Sequence, residues 1–454
     1  MLFQRSSNGS MKRLAAITAI VGAAALTLTA CGSSGGAQTG SADEGSITWW
    51  GWTPDTSVAD AYIAAFNEEY PDIEVTYRNF ENGDYKAALR AGLQSNSGPD
   101  VFDIALGGDV ADFGTFGDFG LDLRPALEEQ LGDDWEDSFN FPPDGLTRED
   151  GSVAGLPMGG VAAGMIWINQ TMFDELGAKV PTNYDEWVAA CDVFAAAGKD
   201  CLAMGVIPGR SFAMETWRSI VSTIEPGLWY SALEGEASWD DPAFEEGLEV
   251  LAQMKEDGII RDDVTGLAQY PDANNAFLSG QAAMVQMGTW YAQYSREQSA
   301  IASMEAAGVS SPTPFVQVPI PFPEVGGNPG TIFGELDYGL AVNSRSDAVA
   351  PATTFALWLT ASEQGGQIIA NAIDLIPGLK GVEPQWDDLG LVDPEVQIPA
   401  IQNLWAEAAA SSESRNQLVT PALAQAFDVA VASVLEGSTT PADAIATLVA
   451  STQG

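Results

Sequence analysis

The chain has 454 residues, 46% of them hydrophobic and 9% aromatic, and carries 63 acidic against 18 basic residues for a formal net charge of −45. That length fits two domains of about 150 to 250 residues, each able to bury its own core, while the acidity excludes nucleic acid and an anionic membrane surface as partners, because phosphate binding needs basic clusters. The complete lack of histidine excludes Ser-His-Asp and Cys-His catalysis and every His-containing metal site, and neither a cofactor nor a metal is expected.

Met11, Lys12 and Arg13 open a positively charged start, Leu14 to Leu28 is an apolar run, and Leu28-Thr29-Ala30-Cys31 follows. Residues 1–31 therefore read as an export signal, with an apolar run shorter than the ~20 residues that span a bilayer. The small residues before Cys31 and the Gly after it resemble the bacterial lipobox, which implies cleavage before Cys31 and acylation of that residue. Residues 32–45, rich in Gly, Ser, Ala and Thr, read as a flexible tether.

Ser46 to Trp50 is a strand with Gly51-Trp52-Thr53-Pro54-Asp55 at its exit, and Asp55 or Thr56 caps a helix bearing Val58, Tyr62 and Phe66 at four-residue spacing. Ile73, Val75 and Tyr77 alternate as a second strand, Tyr85, Leu89 and Leu93 mark a second helix, and Gly98 to Ala105 contains a third strand. This βαβαβ order predicts a parallel sheet with helices on its faces. In such a sheet ligands sit beyond the carboxyl ends of the strands, which selects Trp52, Glu81 and Asp109. Asp109 is otherwise a helix cap.

From Gly155 a Gly- and Ala-rich apolar run ends in Trp167, Ile168 and Asn169 and reads as one buried strand that leaves one unit and enters another. Phe173 and Leu176 follow on a short helix closed by Gly177, and Pro181-Thr182-Asn183 supplies a turn and cap for a helix carrying Trp187, Cys191 and Phe194. In an exported chain, Cys191 and Cys201 are expected to form a disulfide that pins the loop after this helix. Trp217 sits at helical spacing and is either core or ligand platform. Phe277 to Val285 leads through a short apolar strand to Gly288 and Trp290. Val316 to Phe322 reads as an irregular strand returning toward the first unit, Gly326 to Gly330 as a loop or hinge, and Phe333 to Val342, with Glu335, as a further apolar stretch.

Four ordered motifs resemble those of the extracellular solute-binding proteins of sugar ABC importers. The Gly155–Phe194 stretch is similar to that family's "G-L-Y-Y-N", "F-x-x-x-G" and "P-x-T-W-D-E-F", and Pro99–Phe102 to its "P-D-V-F". Phe277–Trp290 is similar to "F-x-x-G-K-A-A-M-x-x-x-G-x-W" with Gln281 in place of Lys, and Phe333–Val342 to "G-G-x-x-x-A-I". Lys380 lies where many members have the Arg of "L-P-A-R".

The resemblance implies a maltose-binding-protein-like lipoprotein with an α/β, two-lobed periplasmic-binding-protein-like fold of type II. The expected lobes are 46–155 plus 331–378 (N-terminal) and 156–325 plus 380–454 (C-terminal), with the ligand in the cleft between them. It implies a mono- or oligosaccharide that stacks on Trp290, with Trp52, Trp167 and Trp217 as further aromatic candidates and Glu81, Asp109 and Glu335 as acceptors for its hydroxyls. A pyranose has an apolar C–H face suited to a ring and a rim of hydroxyls suited to carboxylates. The implied partners are the membrane permease subunits of an ABC importer, reached by a non-catalytic monomer anchored through Cys31 on the outer face of the cytoplasmic membrane. Two rivals stand beside this: a secreted glycoside hydrolase, and a binding protein for a cationic solute such as a polyamine.

Overall fold

A computed structural model describes residues 41–452 apart from 96, 108, 109, 142 and 210, so Cys31 and Asp109 lie outside the described residues. Among the described residues ten strands make two sheets, one of six strands in the order β10-β4-β9-β3-β1-β2 and one of four in the order β6-β7-β5-β8. The first contains β1 (Gly45–Gly51), β2 (Ile73–Asn79), β3 (Val101–Ala105), β4 (Leu156–Ala163), β9 (Phe333–Val342) and β10 (Ile376–Pro377). The second contains β5 (Met165–Asn169), β6 (Asp200–Ala203), β7 (Ala282–Val285) and β8 (Gln317–Pro321). Helices flank both, giving the two-lobed α/β fold.

The βαβαβ start folds as its periodicity dictates. β2 and β3 both run parallel to β1, and helix α1 (Thr56–Glu69) buries Val58, Tyr62 and Phe66. Helix α2 (Asn82–Leu93) buries Tyr85, Leu89 and Leu93. Trp49, Tyr62, Phe66 and Phe355 centre one core, and Trp187, Trp217, Trp229 and Phe244 centre another in the second lobe.

Two readings of the chain's path differ from the sequence expectation. The run after Gly155 is two strands: β4 pairs with β9 in the first sheet, β5 pairs with β7 and β8 in the second, and Gly164 between them has φ +98°. A Cβ there would run into the Thr331 carbonyl oxygen, so the turn from one sheet to the other requires glycine. The chain thus changes sheet at Gly164, and the lobe boundary expected at Gly155 falls before a strand that belongs to the first sheet. β8 likewise does not return to the first sheet; it is the edge strand of the second, antiparallel to β5. An edge tolerates Pro319 and Pro321, which cannot donate to a ladder.

Cys191, on the helix Tyr184–Ala196, is bonded to Cys201 on β6, with Cα atoms 5.1 Å apart. No helix among the described residues is long and apolar enough to cross a membrane.

Candidate functional site

The carboxyl ends of β1, β2 and β3 open onto a cleft of about 1010 Å³ lined by residues of both lobes. Trp52 and Asp55 leave β1, Glu81 leaves β2, and Glu335 and Asp337 come from β9. From the other side come Phe212 and Glu215 at the start of the helix Ala213–Ile224, Tyr270, and the turn after β7 with Trp290 and Tyr294.

Local chemistry fixes these side chains. The Tyr77 hydroxyl and the Asn79 amide donate to the Pro54 carbonyl at 2.8 and 3.2 Å, which holds the loop carrying Trp52 and Asp55. Asp55 occupies the N-cap position of α1 without capping it by its side chain; its carboxylate instead accepts the Tyr294 hydroxyl at 2.7 Å. Burial raises its pKa and the Tyr294 bond opposes that rise. Trp290 is placed by Gly288, because a Cβ there would run into the Trp290 ring. That is a physical reason for the G-x-W spacing. The indole N–H donates to the Tyr270 hydroxyl at 3.0 Å, and Phe212 meets the ring edge-on with centroids 5.8 Å apart.

A charged clamp lies against that ring. The Arg415 guanidinium is 4.7 Å from the Trp290 centroid and 5.4 Å from that of Phe212. Its Nε and Nη2 donate to Glu215 Oε1 at 2.7 and 2.6 Å, and Nη1 lies 4.0 Å from Asp337. Glu215 Oε2 is buried without a hydrogen-bond partner, an acceptor of the kind that buried sites reserve for a donor. The carboxylate of Glu335 accepts the Asn416 and Gln417 backbone N–H groups at 2.6 and 2.8 Å. Burial still pushes Glu335 up to about 7 and Asp337 to about 6, against the pull of Arg415.

Of the residues expected at the site, Trp52, Glu81, Trp290 and Glu335 line this cleft. Trp167 and Trp217 do not, and that expectation is corrected. Trp167 lies on β5, flanked by β7 and β8, is fully buried, and donates to the Gly288 carbonyl at 2.9 Å. Trp217 is fully buried against Trp229 at 4.9 Å and donates to the Phe244 carbonyl at 3.1 Å. Lys380 is exposed and away from the cleft.

Sequence reasoning missed Asp55, Phe212, Glu215, Tyr270, Tyr294, Asp337 and Arg415 as site residues. Two carried a signal: Asp337 lies two residues from Glu335 and so shares its strand face, and Arg415 is the only basic residue after Lys380. No group of three or more His, Cys, Asp or Glu among the described residues is placed to hold a metal ion.

Comparison with known proteins gives a consistent assignment. Two proteins, from Brucella suis biovar 1 and Brucella melitensis biotype 1, each called a probable sugar-binding periplasmic protein, are 26% identical over 206 residues. That alignment covers 44% of this chain and 46% of theirs, so the match spans about half the length of these curated relatives. The fold is shared with maltose-bound T. maritima MalE3, at TM-score 0.68 and 17% identity over 89% of this chain and 98% of that one. It is shared too with the GacH receptor of Streptomyces glaucescens, at TM-score 0.66 and 19% identity over 90% of this chain and 98% of that one. The family model of the bacterial extracellular solute-binding proteins matches residues 50–366, and the chain belongs to that family.

Proposed function

We propose that this protein captures a carbohydrate outside the cytoplasmic membrane and delivers it to the permease subunits of an ABC importer, tethered there through a lipid on Cys31. The observation that carries the reading is the juxtaposition of the Trp290 ring with Glu215, Glu335 and Asp337 in one cleft. An aromatic face suits the C–H face of a pyranose and carboxylates suit its hydroxyls. The names of the Brucella relatives and the maltose in the MalE3 structure support the same ligand class. No catalytic step is assigned: Glu215 and Asp337 are tied to Arg415 rather than set as an acid and a base across a scissile bond. The working form is a monomer without a cofactor.

One observation favours a second reading. Asp55, Glu81, Glu215, Glu335, Asp337 and Asp428 give the lining more acids than the three basic residues Lys86, Arg90 and Arg415, which suits a cation such as a polyamine. A thermal-shift screen decides between them. A neutral sugar that raises the melting temperature more than spermidine supports the carbohydrate reading, and the reverse order overturns it.

A further inference from the structure

Arg218 follows Glu215 on the helix Ala213–Ile224, is 1% exposed, and is not among the residues lining the cleft. A guanidinium keeps its charge at any ordinary pH, so burying one costs stability unless partners surround it. Its hydrogen-bond partners all lie at or beside Arg415. Nη2 donates to Glu413 Oε2 at 2.8 Å, and Nη1 donates to the Ser414 and Arg415 carbonyls at 2.9 and 3.3 Å. Below it, the guanidinium carbon lies 3.8 Å from the ring centroid of Phe333, the first residue of β9. β9 holds the same segment from the first lobe: the Gly334 N–H donates to the Glu413 carbonyl at 2.9 Å, and Glu335 accepts the Asn416 and Gln417 N–H groups. The chain around Arg415 is therefore gripped from both lobes.

Residues three apart on a helix are neighbours on its surface, and here such a pair takes hold of Arg415 twice. Glu215 binds its guanidinium, while Arg218 binds its backbone through the Ser414 carbonyl and the carbonyl of Arg415 itself. Without that second grip, the ion pair with Glu215 would have to order a long, rotamer-rich side chain on a looser backbone. We infer that Arg218 is a positioning residue of the ligand cleft: by fixing the backbone of Arg415 it keeps that guanidinium on the Trp290 ring and between Glu215 and Asp337. Lysine cannot take its place, because an ammonium lacks the planar fork that meets Glu413, Ser414 and Arg415 while stacking on Phe333. The inference rests on the reading of the cleft as the ligand site, and its test uses the ligand-free protein, so the two fail separately.

The test reads Trp290 by acrylamide quenching, taking its share of the tryptophan fluorescence as the difference between each protein and the same protein carrying Trp290→Phe. Arg415→Ala uncovers the ring and sets the full rise in quenching. Arg218→Met and Arg218→Lys each raise the quenching constant of Trp290 most of the way to that value. In the Arg415→Ala background Arg218→Met adds nothing further, since the two act through one contact. A melting curve of each variant verifies folding. A residue with a purely structural role lowers the melting temperature in both backgrounds and leaves the Trp290 signal of the folded protein unchanged, and that result overturns the inference. So does a rise in which the two substitutions add, or an Arg415→Ala protein with unchanged quenching. Should Arg218→Met fail to fold, Glu413→Ala carries the test, because it removes one partly exposed acceptor from the same grip. Quenching of Trp290 rises in that variant, and an unchanged value overturns the inference.

Discussion

Two tryptophans on helical or turn segments illustrate how burial divides roles at the scale of the residue. Trp290 is half-buried at the cleft floor and Trp217 is fully enclosed by aromatic neighbours. Trp290→Ala removes a platform worth on the order of 1 to 3 kcal/mol, so the dissociation constant for the bound sugar rises about 5- to 150-fold. Trp217→Ala leaves a cavity and costs about 3–5 kcal/mol of stability without ligand. Titration beside melting curves separates the two; an unchanged dissociation constant with a lowered melting temperature overturns the role of Trp290 as a ligand platform. The buried carboxyls predict a second residue-level property. Glu335 is pushed from 4.5 up to about 7, Asp337 to about 6, and the buried Asp374 to about 7, in each case chiefly by burial. Each binds its proton more tightly in the fold than in the unfolded chain, so the stability it contributes is present at low pH and lost as pH rises through its folded pKa. The ligand-free protein accordingly melts at a higher temperature at about pH 5 than at about pH 8. General acidic repulsion acts in the same direction, so the specific readout is Glu335→Gln, which narrows the difference. An undiminished difference in that variant excludes Glu335 as a source.

At the scale of the element, the informative cases are those where a strand's membership was settled by its neighbours. The period-2 and four-residue patterns from β1 to β3 are local and set both element type and buried face. A continuous apolar run such as Leu156–Asn169 carries no such phase, and β4 is buried along its whole length, as is β5; only pairing shows that Gly164 divides it between sheets. The link between the helix Tyr184–Ala196 and β6 yields a third prediction. The mature protein, unreduced, has no free thiol at Cys191 or Cys201, and mass measurement after alkylation checks this. Replacing both by Ala lowers unfolding free energy in urea by about 2–4 kcal/mol, because the open chain regains loop entropy. Two alkylated thiols in the native protein overturn the pairing.

For the whole molecule, the expected anchor is tested at Cys31. Cys31→Ala prevents acylation, and the protein is released or retained as unprocessed precursor in membrane fractionation; a cleaved variant that stays on the membrane refutes the lipobox reading. Composition, the order of elements and the motif spacings were legible without coordinates: the two-lobed α/β class, the absence of His-based chemistry, and Trp52, Glu81, Trp290 and Glu335 at the ends or starts of strands. The lack of His-based chemistry follows from composition, the βαβαβ order from local periodicity, and Trp52 and Glu81 from the rule that parallel strands present ligands at their carboxyl ends; the two-lobed class, Trp290 and Glu335 came with the motifs that resemble the sugar-binding family. The tertiary structure alone decided the rest. Trp167 and Trp217 share the residue type of a sugar platform, but whether an indole faces a cleft or a core depends on which elements cover it. Arg415 reaches Glu215 and Asp337 across 200 and 78 residues of chain, and no local pattern encodes a contact whose partners only folding brings together.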